Sequence, residues 1–238
     1  KLFKVNQIKI NYDKNLILDF NKLINSIDKK TNLIMLANPN SPTGTIISEE
    51  NILKILKKAK SKNCYVVIDE AYFGFYKNSS IKFLKRFKNL IILRTFSKAI
   101  GMAGIRAGYI ISDTKNIKRL YSFRPMYEIS SVSCLAIKES LKNYRLVNQY
   151  INDTNKGKKY LIHELKKLNL KNFKNFSNFI LVDFGNKTKA MKVYKKLSGK
   201  GILTRKAPNI EACKNSLRFT LGPKKFMQIL VKEIKKTL

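Results

Sequence analysis

Histidine occurs once in this 238-residue chain, tryptophan not at all, and acidic residues number 15 against 49 lysines and arginines. The lone His163 falls in the helical run YLIHELKKL, where a surface position is expected; one histidine is too few for a histidine-based triad or a multi-histidine metal site. Cys64, Cys134 and Cys213 are odd in number, widely spaced and without a C-x-x-C pair, which argues against a disulfide framework or a zinc site and for reduced thiols. Long hydrophobic runs are missing: NLIMLA and NLIIL fall far short of the roughly 20 apolar residues that span a bilayer. The opening KLFKVNQIKI has neither the apolar core nor the cleavage site of a signal peptide, so a cytoplasmic location with no membrane partner is expected.

The shortage of acid leaves a net charge of +34, which in many chains marks a nucleic-acid or membrane binder. The composition of that charge argues otherwise. Only 8 of the 49 cations are arginine, and the 41 lysines are spread through almost every helical stretch rather than gathered on one face. Base readout and stacking draw on arginine and aromatics, so no specific nucleic-acid partner is expected, only weak, salt-sensitive attraction to polyanions.

What is present is a sizeable apolar complement, 44% of residues with 11% aromatic, ample for a buried core. Strands alternate with helices. KVNQIKI alternates like a half-buried strand, LDFNKLINSI reads as a short helix, and TNLIMLA as a buried strand running into the turn Asn38 to Gly44. Ser48 is placed to cap a helix with Glu49 and Glu50 in its first turn and Ile52, Ile55, Leu56 and Ala59 on one face. CYVVID, NLIILRTF and AGYIIS follow as β-branched runs of the kind buried on both faces of a parallel sheet. The order implies an α/β fold with a mostly parallel sheet and ligands at the carboxyl ends of its strands. After about Ser122 the pattern becomes a broken helical stretch with a hinge near Pro125, then three strand-like runs, FSNFILVDF, GILTR and SLRFTLG, and a closing amphipathic helix. Three parts are expected: a large domain over 1–122, a helical connection over 123–150 and a smaller α+β domain over 151–238.

Chemistry concentrates at the strand ends. Lys98 follows a strand in RTFSKAIGMAGIRAGY with Arg106 eight residues on; a lysine whose amine is partly neutral, through burial beside another cation, can form a Schiff base with a carbonyl. Asp69 ends CYVVID, and Ser97 lies beside Lys98.

NPNSPTG, DEAYFGF, RTFSKAIGMAGIRAGY, GILTRKAP and SLRFTLG together resemble, in order and approximate spacing, the fold-type I pyridoxal-phosphate aminotransferases, most closely the histidinol-phosphate aminotransferase branch. The resemblance covers nearly the whole chain. It implies pyridoxal 5'-phosphate as cofactor, Lys98 as its Schiff-base lysine and proton shuttle, and Asp69 as partner of the ring nitrogen. It implies Tyr72 at the cofactor's phenolic oxygen, with Asn40 or Ser41 nearby, and Ser97 and Arg106 at its phosphate. Arg218 would grip the substrate α-carboxylate in a two-pronged fork, and Arg205 would face the distal substrate group. It further implies a homodimer that exchanges an amino group between an amino acid or phosphorylated amino alcohol and a 2-oxo acid.

Three positions depart from the family pattern. Ser41 stands where the family places Asn before Pro-Thr-Gly, with Asn40 one step earlier, and Glu128 stands where histidinol-phosphate enzymes tend to have Asn. The chain starts at Lys1, and the family's N-terminal part, with its phosphate loop and ring-stacking aromatic, has no counterpart, so a fragment with an incomplete sheet is expected. Rival readings are a phospho-amino-acid decarboxylase on the same scaffold, a non-enzymatic polyanion-binding module, and a catalytically dead homologue. Lys98→Ala separates the enzyme from the polyanion binder: the visible absorption of the cofactor-loaded protein should vanish, whereas salt-dependent binding to a polyanion should be unchanged if the charge alone were the function.

Overall fold

Two four-stranded sheets, each backed by helices, divide the structure, a computed structural model that describes residues 5–206 and 210–238. The first half runs α1 (Phe20–Asn25), β1 (Leu33–Ala37), α2 (Glu49–Ser61), β2 (Tyr65–Asp69), β3 (Leu90–Thr95), β4 (Gly108–Ser112) and α3 (Thr114–Tyr121). Two helices follow, α4 (Ser131–Lys142) and α5 (Tyr144–Lys167). The remainder is β5 (Lys171–Asn172), β6 (Phe179–Asp183), α6 (Lys187–Ser198), β7 (Arg205–Lys206), β8 (Ser216–Thr220) and α7 (Lys224–Lys235). The division expected at 150/151 falls inside α5.

The first sheet has the order β1-β2-β3-β4, with β1, β2 and β3 parallel and β4 antiparallel to β3. Alternation along each strand sends Ile34, Leu36, Val66, Ile68, Leu90 and Ile92 to one face, where they meet Ile52, Ile55, Leu56 and Ala59 of α2. That helix begins as its residues predict, with the Ser48 hydroxyl accepting from the Asn51 amide. The second sheet, in the order β5-β6-β8-β7, is antiparallel throughout. Ile180 and Val182 of β6 and Leu217 and Phe219 of β8 pack on Leu161 and Leu165 of α5 and on Leu230 and Ile234 of α7.

Four expectations need correction. The strand foreseen over KVNQIKI does not form: residues 5–10 are irregular and mostly exposed, and Lys4 lies outside the described residues. Alternation there had no neighbouring strand to satisfy its backbone. β1 is half-buried rather than the buried strand expected, since Leu33 and Met35, opposite α2, are exposed. β4 is an antiparallel edge with an exposed start rather than a buried parallel strand. GILTR contributes only Arg205 to a two-residue strand, β7, and Ala207 and Pro208 of GILTRKAP lie outside the described residues.

Between β2 and β3 the chain makes a loop that leans on the turn after β3. At Gly74, φ is +105°, and a Cβ would stand 2.7 Å from the Ala99 Cβ and 3.3 Å from Ile151 Cδ1. Gly74→Ala should therefore destabilise by roughly 2 kcal/mol or more in chemical denaturation, through both strain and overlap, and Ala99→Gly added to it should recover the steric part. A second prediction concerns the α5–α7 contact. Glu164 accepts from Lys235 at 2.7 Å and from Lys167 at 2.9 Å, and these hydrogen bonds hold its carboxyl down at about 2. A depressed carboxyl stabilises the fold above its ordinary value of 4.5 and ceases to as pH falls toward 2. The urea midpoints of wild type and Glu164→Gln should differ at pH 6 and converge between those two values.

Candidate active site

Three parallel strands end at one edge, and the chain leaves each of them into a segment that carries polar groups. Beyond the ends of the strands the ladder continues: the Asn38 amide donates to the Asp69 carbonyl and the Glu70 amide to the Leu93 carbonyl, each at 2.9 Å. After β1, the turn is held by the buried Asn38 side chain, whose Oδ1 accepts from the Ile47 amide at 2.8 Å. Asn40 is half-buried, its Oδ1 accepting from the Thr43 hydroxyl at 2.9 Å, whereas Ser41 is exposed. After β2, Asp69 Oδ1 accepts from the Ala71 amide at 2.8 Å, and Tyr72 is buried. After β3, the Ser97 amide donates to Thr95 Oγ1 at 3.1 Å. Lys98 is half-buried, its Nζ 5.7 Å from the centre of the Tyr72 ring.

The antiparallel run of β4 completes this edge. Thr95 faces Gly108, and the Phe96 amide donates to the Ala107 carbonyl at 3.1 Å, so the preceding Arg106 arrives beside Ser97. A parallel β4 would have left Arg106 at the far end of the sheet. Arg106 is exposed, has φ +52° and donates from Nη1 to the Ala103 carbonyl at 2.9 Å.

The second sheet closes in from the other side. Tyr72 meets Phe179 of β6 edge to face at 5.5 Å, and the guanidinium of Arg218 lies 4.8 Å from the centre of the same Phe179 ring. Arg205 on β7 is the cross-strand neighbour of Arg218 and is exposed. Burial lowers the pKa of Arg218; Tyr72 opposes that shift, and the like charge of Arg205 adds to it. Among the described residues no carboxylate pairs with Arg218, which leaves a partly desolvated cation facing Tyr72. The two halves are also tied at the first turn. Lys158 of α5, its pKa lowered by burial, donates to the Asn175 carbonyl at 2.6 Å, and the Phe176 amide donates to the Gly44 carbonyl at 2.9 Å.

Thus Asp69, Tyr72, Ser97, Lys98 and Arg106 share one edge with the 38–44 turn, and Arg218 reaches them through Phe179. Arg205 stands beside Arg218 but points no polar contact toward Lys98 among the described residues. Sequence reasoning missed Phe179, Gly74, and a buried ion pair between Glu70 and Arg94. A charged residue inside the apolar run LIILRT was the signal for that pair, because a buried charge requires a partner. Glu128 forms an ion pair with Arg124 at 3.3 Å on the surface. A cleft of about 560 Å³, lined by Lys60, Arg86, Lys88, Asp113, Lys115 and Arg119 among others, sits at the opposite ends of β2 and β3 and includes none of the residues above. Cys64 and Cys213 are buried and their thiols are pushed up by burial, Cys213 to about 11, with Asp183 contributing.

Comparison with known proteins bears on the family and the fold. The family model for aminotransferase class I and II matches residues 1–234. The histidinol-phosphate aminotransferase of Caldanaerobacter subterraneus subsp. tengcongensis is 35% identical over 243 aligned positions, which take in 100% of this chain and 66% of that protein. That of Thermoanaerobacter pseudethanolicus is 36% identical, over 97% of this chain and 64% of its own. The chain therefore spans about two thirds of the length of these curated relatives. Among solved structures, histidinol-phosphate aminotransferase from Clostridium acetobutylicum superposes with a TM-score of 0.80 at 25% identity, covering 96% of this chain and 70% of that one. The enzyme from Sinorhizobium meliloti in complex with pyridoxal-5'-phosphate gives 0.83 at 21% identity, over 97% and 65%. With a mostly parallel α/β sheet whose strand ends carry the aspartate, lysine and arginine motifs in that order, and a family match over residues 1–234, the chain belongs to the class I and II aminotransferases.

Proposed function

We propose that the protein is a pyridoxal-phosphate-dependent aminotransferase of the histidinol-phosphate type. It would move an amino group between an amino acid or phosphorylated amino alcohol and a 2-oxo acid. The observation that carries the reading is the meeting of Lys98, Tyr72, Phe179 and Arg218 where β2 and β3 end against the second sheet. The donor set suits the cofactor. Among the described residues the Lys98 amine and the hydroxyls of Tyr72 and Ser97 make no hydrogen bond, and Arg106 uses one of its five donors on the protein.

In this reading Ser97 and Arg106 hold the cofactor's phosphate, and the Asp69 carboxylate keeps the ring nitrogen protonated. Bound there, pyridoxal phosphate supplies an electron sink for the pair released when the substrate's α-carbon loses a proton. The Tyr72 hydroxyl donates to the phenolic oxygen, and the Asn40 amide lies on the adjacent turn for the same contact, while Ser41, being exposed, contributes less. Lys98 would carry the proton between the substrate's α-carbon and the cofactor's C4′, in one direction for the amine and in the other for the 2-oxo acid. Arg218 binds the substrate carboxylate with two parallel N–H donors, and Arg205 extends the positive field toward the distal group. The partly dehydrated state of Arg218 strengthens that fork, since a charge pair interacts more strongly away from water.

A homodimer and a cytoplasmic setting belong to the same proposal. The exposed apolar side chains Phe123, Met126, Tyr127, Val132 and Leu135 support the dimer, because a face of this kind is characteristic of an interface. No helix of the described residues is long and apolar enough to cross a membrane, which accords with the setting.

The reaction is tested with the full-length protein, pyridoxal phosphate, histidinol phosphate and 2-oxoglutarate. Glutamate should appear in step with loss of the amine, and Arg218→Lys should lower kcat/KM by about tenfold or more, as loss of a two-pronged carboxylate contact would. Release of carbon dioxide from a phospho-amino acid with no glutamate formed would decide for a decarboxylase instead.

A further inference from the structure

Glu70 follows Asp69 directly, is 3% exposed, and has both carboxylate oxygens engaged by the protein. Its Oε1 accepts from the Ser80 amide at 2.6 Å. Its Oε2 accepts from the Ser79 hydroxyl at 2.8 Å and from Nε and Nη2 of Arg94 at 3.1 and 3.0 Å. Arg94 Nη2 also donates to Ser79 Oγ at 2.7 Å, and its guanidinium lies 3.5 Å from the centre of the Phe73 ring. Thus the first residues of the 70–80 loop, its end at Ser79 and Ser80, and β3 are joined in one buried network. Stability alone does not account for it, because a buried ion pair is commonly no more stabilising than apolar side chains of similar volume.

Its place does account for it. Glu70 lies between Asp69 and Tyr72, and Arg94 lies four residues before Lys98 on the strand that delivers the lysine. The loop touches the lysine's turn again at Gly74 against Ala99. We propose that the Glu70–Arg94 pair is a positioning pair for the active site, fixing Asp69 and the Tyr72 turn against Lys98. The idea rests on the cofactor reading above. Neither residue need touch the cofactor; the network removes the freedom of two strand-end segments to slide past each other, so the ring-nitrogen partner, the phenolic-oxygen partner and the lysine are held in register before the cofactor arrives.

The test uses the full-length protein and two variants. Glu70→Gln with Arg94→Met removes both charges while leaving an acceptor for the Ser80 amide, and Arg94→Lys keeps the charge without the two-pronged geometry. Cofactor-free protein is followed by thermal unfolding and by amide hydrogen exchange, and pyridoxal phosphate affinity by its visible absorption. For the double variant the unfolding midpoint should stay within about 3 °C of wild type. Exchange at residues 71–76 should quicken about tenfold with the β2 and α2 amides unchanged. Cofactor affinity should fall about tenfold or more, with a smaller fall for Arg94→Lys. Wild-type affinity and wild-type exchange at 71–76 in both variants would overturn the proposal. So would a general loss of protection and midpoint with no local signature, which would mark the pair as ordinary scaffolding. Failure of wild type itself to bind pyridoxal phosphate would instead strike the cofactor reading first and take this inference down with it, a pattern distinguishable because no variant is needed to see it.

Discussion

A β-strand delivers its last residue to one edge of a sheet and its first to the other, and this directionality governs where chemistry can collect. With β1, β2 and β3 parallel, the turn at 38–44, Asp69 with Tyr72, and Ser97 with Lys98 all emerge on one side. The reversal at β4 then returns Arg106 to that side, since the residue before an antiparallel strand lies where its parallel neighbour ends. Residues separated by as many as 68 positions in sequence are thereby brought together by hydrogen-bond direction alone. The second sheet needs only to present one edge-facing strand pair, β6 and β8, for Phe179 and Arg218 to complete the wall.

Scarcity of acid makes each carboxylate's position informative. Several serve as local hydrogen-bond acceptors at helix starts and turns, as Asp19 and Asp113 do, where they satisfy amides that would otherwise lack partners. Others join elements: Glu164 bridges α5 and α7, Glu70 ties a loop to β3, and at the surface Glu49 and Asp113 pair with Lys82 and Lys88. Most lysines, by contrast, lie on exposed surface and pair, where they pair at all, with neighbours three or four residues away, contacts that contribute little in water. The large positive charge is therefore a property of the surface, while the arginines at 94, 106 and 218 are placed by the fold.

The legible parts of the fold were those specified locally. α2 could be read from Ser48, its two glutamates and four apolar residues on one face, because capping and helical periodicity act within a few turns. The strand-end positions of Asp69 and Lys98 were readable for the same reason, each closing an apolar β-branched run. Pairing was not local. Nothing in AGYIIS states whether it runs with or against NLIILRT, and the apolar alternation of KVNQIKI looks the same with or without a neighbouring strand to hydrogen-bond. Exposure of Leu33 and Met35 was likewise hidden, since an apolar residue in a strand does not record what covers its face. Phe179 and the Glu70–Arg94 pair were out of reach in detail because their partners lie in other elements, although Arg94 in an apolar strand announced that some partner existed.

The contact between the two sheets follows a consistent division of labour. Groups assigned to the cofactor, Asp69, Tyr72, Ser97, Lys98 and Arg106, come from the first half, and those assigned to the substrate, Arg205 and Arg218, from the second. The junction is aromatic rather than ionic: the Phe179 ring lies against both the Tyr72 ring and the Arg218 guanidinium. An aromatic neighbour suits this position, because it displaces water from both groups while leaving the arginine's donors unclaimed, as an acidic partner would not. A carboxylate in place of Phe179 would satisfy Arg218 internally and compete with any incoming anion. Among the described residues one cation is thus left partly dehydrated and without a carboxylate partner at this junction, the condition under which an incoming anion gains most from binding.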